Sequence, residues 1–114
     1  MKIECDVCII GAGAGGSAAA STLSAAGLKV AIVEYGSFLM PKDFTQREEQ
    51  MFSKLFYQSG GRKTEDFSIR VLHGHGVGGS TLHNINLCKR LPDELYTDWK
   101  LNKEVFNPLF NKTE

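Results

Sequence analysis

The chain opens with a rhythm of short apolar runs separated by small residues. Residues 5–10, "CDVCII", form an apolar run closed by Gly11, the pattern of a strand buried on both faces of a parallel sheet. From Gly15 to Ala26 the composition turns to alanine and serine, and Gly27 follows as a helix C-cap. Residues 29–34, "KVAIVE", are β-branched and apolar and end on a carboxylate. Strand, glycine turn, helix and strand make one βαβ unit of about 30 residues.

The rhythm then changes. In "TQREEQMFSKLFYQSGG", Thr45 and Glu48 have the spacing of a capping box, and Met51, Phe52, Leu55 and Phe56 recur on one helical face. That predicts a helix ended by Gly60-Gly61, with the apolar face used for packing. Residues 66–72, "DFSIRVL", alternate and predict a half-buried strand leading into a second glycine cluster, "HGHGVGGSTLHN" at 73–84. A helix is expected to start in "STLHNINLCKR", and another in "PDELYTDWK", where Pro92 and acidic residues occupy the first turn. The tail "NPLFNKTE" shows no packing pattern.

Gly11, Gly13 and Gly16 satisfy G-x-G-x-x-G directly after the first strand and at the start of the first helix. The first glycine permits the tight turn, the second admits a pyrophosphate to the backbone, and the third lets helix and strand pack closely. Main-chain N–H groups at the helix start then present the positive end of the macrodipole. Glu34, at the end of the second strand, is placed to accept hydrogen bonds from a ribose diol, and an acid there opposes the 2′-phosphate of NADP. The turn by itself implies an adenine dinucleotide and leaves NAD and FAD open. The second cluster offers Gly76 and the run Gly78-Gly79-Ser80, whose N–H groups and hydroxyl suit a phosphate or a flavin edge.

Composition narrows the function classes. The 114 residues carry 13 Lys plus Arg and 13 Asp plus Glu, so no basic excess points to nucleic acid. Glycines and serines break the only apolar stretch approaching membrane-spanning length, at 7–23. Cys5 and Cys8 form a C-x-x-C, but in a strand rather than at a helix start, and a zinc site would need a second ligand pair. The three cysteines read as small residues in a reducing, cytoplasmic setting, and no metal ligand set is assigned.

Taken together, "DVCIIGAGAGGSAAASTLSAAGLKVAIVE" and "GHGVGGSTLHN" resemble the glucose-methanol-choline (GMC) family of FAD-dependent oxidoreductases, over residues 6 to 90. The segment at 42–61 is similar to its counterpart in long-chain alcohol oxidases of that family. The resemblance implies an α/β fold with a Rossmann-like βαβ FAD-binding unit, an incomplete parallel sheet and additional helices. It places Gly11, Gly13, Ala14, Gly15 and Glu34 at the ADP end of FAD. It places Gly78, Gly79, Ser80 and Asn84 near the pyrophosphate and isoalloxazine. His75, His83 and Cys88 depart from residues usual in the family. His83 lies four residues after Gly79, the spacing of the histidine that carries flavin in members with covalent FAD. A histidyl-FAD bond through His83 and a histidine that only packs beside the flavin both fit.

The implied reaction is oxidation of a small-molecule alcohol by hydride transfer to flavin. The family's histidine base lies in a C-terminal region with no counterpart here, so no catalytic residue is assigned. The expectation is that residues 1–114 form the N-terminal part of an FAD-binding domain, with the substrate domain and the remainder of the flavoenzyme elsewhere. Two alternatives stay open: an NAD-dependent Rossmann reductase and a non-catalytic dinucleotide-binding module.

Overall fold

The structure is a computed structural model that describes residues 2–83 and 89–113. Asn84 and Cys88, both singled out above, and the helix expected from Ser80 onward beyond His83 lie outside the described residues. The chain divides into two compact units, Met1–Asn84 and Ile85–Glu114.

In the first unit, β1 (Val7–Ile10) pairs in parallel with β2 (Val30–Val33), Val7 opposite Val30 through to Ile10 opposite Val33. Helix α1 (Ala14–Ala25) is the crossover between them. Its end has the expected glycine: Gly27 N–H donates to Ser24 O and Leu28 N–H to Leu23 O, the paired bonds of a Schellman motif. The protein is therefore α/β, with a small parallel sheet and several helices. Burial on both faces of β1 is not observed. Val7 and Ile9 are half-buried, whereas Ile10 is 89% exposed and Val33 of β2 56% exposed. Two strands and one helix provide a single covered face, and a second layer is needed to cover the other.

Helix α2 spans Glu48–Leu55, shorter than the periodicity predicts at both ends. The Thr45–Glu48 capping box does not form, because Gln46 is left-handed (φ 59°) and Arg47 takes the N-cap position without a side-chain bond. The C-terminal end is set by tertiary pairing. Phe56 is extended and bridges Gly74, with Tyr57 N–H donating to His73 O at 3.0 Å and His75 N–H to Leu55 O at 3.0 Å. The packing face is real: Met51 and Leu55 are buried, and the Phe52 and Phe56 rings lie 4.5 Å apart.

The strand expected at 66–72 is absent. One antiparallel bridge, Lys63 with Arg70, is all that forms there. Short polar side chains satisfy the local backbone instead: Asp66 accepts the Ser68 N–H and hydroxyl, and Thr64 Oγ1 accepts the Ile69 N–H. The Thr64 hydroxyl foremost, with the Ser68 hydroxyl and N–H, donates to the exposed Asp66 carboxyl and holds it down at about 2.

In the second unit, α3 (Asp93–Asp98) follows Pro92 as expected. The patternless tail is a helix, α4 (Lys103–Thr113), that includes Pro108. Asn102 starts it, its Oδ1 accepting the Glu104 N–H at 2.9 Å, a cap signal overlooked in the sequence. Phe106 meets Tyr96 edge-on at 6.2 Å. Among the described residues no helix is long and apolar enough to cross a membrane.

Candidate functional site

The first glycine turn is built by the sheet. Gly11 N–H donates to Val33 O at 2.7 Å, extending the β1–β2 pairing by one bond, and Gly13 is the N-cap of α1. Gly16 does what the motif's third glycine is for: a Cβ there would lie 2.0 Å from Gly11 O. Helix and turn touch main chain to main chain. Helix α1 has no side-chain cap and no acid in its first turn, so its leading N–H groups are left for a partner outside the helix.

The second turn lies directly on the first. Gly78 N–H donates to Ala12 O at 2.8 Å, and a Cβ on Gly79 would stand 3.1 Å from Gly13 Cα. Within the turn, Ser80 Oγ accepts the Gly74 N–H at 2.8 Å and Thr81 Oγ1 donates to Gly78 O at 2.6 Å. Between the turns sits the Glu34 carboxylate, which accepts N–H groups from Ala12 (2.7 Å), Gly36 (2.8 Å) and Gly76 (3.2 Å). The bonds from Gly36 and then Ala12 do most to hold its carboxyl below the usual range; burial opposes them, and Gly76 adds a lesser lowering.

A cavity of about 420 Å³ opens where the turns meet, within the size range of small-molecule sites. Of the residues expected at a cofactor, Gly11, Gly13, Glu34, Gly76, Gly79 and Ser80 line it. Ala14, Gly15, Gly16, Gly78 and His83 lie off its wall. His83 rests its ring on Phe56 (4.4 Å), and its buried Nε2, without a hydrogen-bond partner among the described residues, sits under the Gly74 main chain. The rest of the wall was missed in the sequence: Tyr35, Tyr57, His73, Gly74 and His75. Tyr57 and His73 stack at 5.0 Å, and Tyr35 meets Tyr57 edge-on at 5.8 Å. Tyr35 directly follows the acid, a signal that was available. Tyr57 gave none, lying within the predicted helix but off its apolar face.

The pyridine nucleotide-disulphide oxidoreductase family matches residues 5–105. The chain belongs to that family. As such a member it carries a Rossmann-like unit, in keeping with the β1–α1–β2 crossover. The whole chain is 35% identical to a long-chain-alcohol oxidase of Arabidopsis thaliana, of which it covers 15%. It is 34% identical, over 95% of its length, to a GMC-type oxidoreductase of Sinorhizobium fredii, covering 22% of that protein. A cholesterol oxidase of Mycobacterium tuberculosis is 30% identical over 86% of the chain and 18% of its own length. The chain thus spans about a seventh of the length of the long-chain-alcohol oxidases it matches. No solved structure gives a significant match. The GMC resemblance carried by the two glycine turns is met by a relative of that type.

Whether the residues fit a dinucleotide is tested by Gly13. Its φ of −76° is open to any residue, and a Cβ built on it meets nothing within 4 Å. Neither the backbone nor a neighbour in the chain requires glycine at this position on the cavity wall. The glycine there fits a group that needs close approach to the main chain.

Proposed function

We propose that this chain supplies the FAD-binding part of an oxidoreductase acting on alcohol (CH–OH) groups, and that these 114 residues alone do not turn over substrate. The observation that carries the reading is Gly13, a glycine bare toward the cavity at an uncapped helix start, with a second glycine turn stacked upon it. When bound, the flavin would accept the hydride from the alcohol carbon. The chain's own residues have the positioning tasks. Gly11 and Gly13 admit the pyrophosphate to the main chain, and the leading N–H groups of α1 favour its negative charge. The Glu34 carboxylate offers its remaining lone pair to a ribose hydroxyl. The stacked Tyr57 and His73 rings give the cavity a flat wall suited to a purine.

Substitution of Gly13 by alanine tests this. In titrations followed by amide resonances, FAD is expected to shift Gly13 to Gly16 and the second turn, weakly in this chain. Gly13→Ala should abolish the shifts while changing stability by less than about 1 kcal/mol, the cost of losing a glycine N-cap. Unchanged FAD binding in the variant, or uptake of NADH in place of FAD, overturns the reading.

His83 is read here as a packing residue rather than the flavin's covalent attachment, supported by its seat against Phe56 and beneath Gly74. Acid precipitation of the FAD-loaded full-length protein should leave all the flavin in the supernatant. Yellow colour retained in the pellet would restore the covalent bond.

A further inference from the structure

Two turns some 60 residues apart in sequence meet on one carboxylate. Glu34 Oε2 takes the Ala12 N–H of the first turn, and Oε1 takes the N–H groups of Gly36 and of Gly76 in the second. The other joints are main chain, Gly78 N–H to Ala12 O at 2.8 Å and Val77 N–H to Ser37 O at 3.2 Å. The backbones at 36 and 76 are in contact, since a Cβ on Gly36 would fall 2.3 Å from Gly76 N.

We propose that Glu34 is a positioning residue that seats the second glycine turn on the first. The assignment does not depend on the cofactor's identity, because the hydrogen bonds form within the chain. It follows from what a carboxylate can do. Both oxygens accept and neither donates, so one side chain can face N–H groups on two sides. Glutamine has one accepting oxygen and an NH₂ that would confront an N–H, so it holds at most one of the two turns.

The test is made without ligand. In the wild-type chain, the Glu34 carboxyl carbon resonance and the amide protons of Ala12 and Gly76 should move together with pH. The sign follows from the depressed carboxyl: the joint is complete above the ordinary carboxylate range and is lost as pH falls through the lower folded value. His73, His75, Tyr35 and Tyr57 share the cavity with Glu34, and their ring signals are recorded alongside. In Glu34→Gln, exchange of either the Ala12 or the Gly76 amide should quicken by about tenfold, while Gly11 N–H, held by Val33 O, keeps its protection. Ala12 and Gly76 amides that both ignore the Glu34 titration, or exchange unchanged at both in the variant, overturn the proposal. If the glutamine variant unfolds, the wild-type titration decides alone.

Discussion

The two glycine turns meet at one cavity but are held there by different means. The first lies between β1 and α1, and its constraints come from within one βαβ unit: the sheet bond from Gly11 to Val33 O, the N-cap at Gly13, the Gly16 contact with Gly11 O. The second has no regular element before it. It is held by the pairing of 73–75 with 55–57, by Gly78 on Ala12, and by a carboxylate 42 residues away. One turn is local and the other is tertiary. A turn held this way should open at lower cost than the sheet beneath it, because several of its hydrogen bonds are exposed.

The largest effect expected from this contrast comes from Gly16. A Cβ placed 2.0 Å from a main-chain oxygen has no flexible side chain to push aside, so Gly16→Ala must separate α1 from the turn. The cost should be about 3 kcal/mol or more, the upper part of the range for overpacking. Thermal unfolding followed by circular dichroism would show it, with both turns lost together, since the second is seated on the first. A variant in which the second turn dissolves and the β1–β2 amides stay protected would reverse the dependence.

The same contrast explains how much could be read beforehand. The βαβ unit was legible because its information is local: apolar runs, glycine spacing, the Gly27 C-cap and the acid closing β2. Where tertiary contacts outweighed local preference, the reading failed. The α2 pattern runs on through Phe56, but pairing with Gly74 takes Phe56 out of the helix. The alternation at 66–72 is genuine, yet Thr64 and Asp66 capture the backbone, and Ile69 stays 60% exposed for want of a facing layer. Half of the cavity wall was legible for the same reason. Glycines and the acid announce themselves by spacing, whereas Tyr57 and His73 become a stacked pair only through a main-chain ladder that no periodicity signals.

A smaller and more selective effect is expected at Gly76. Its φ is +111°, a conformation that costs a residue with a side chain about 1–3 kcal/mol, and a Cβ there would stand 2.7 Å from Ser37 O. Both penalties fall on the second turn. Gly76→Ala should weaken the Val77–Ser37 bond and the Glu34–Gly76 bond while leaving Gly11 on Val33 and the β1–β2 register intact. Amide exchange should therefore quicken from 73 to 83 and stay slow through 7–10 and 30–33. The Glu34 carboxyl should also rise toward the ordinary range, because one of its donors is gone, with those of Gly36 and Ala12 remaining. If instead the sheet amides lose protection in step with Gly76, the turns form one cooperative unit, and the second is as much a part of the sheet's stability as the first.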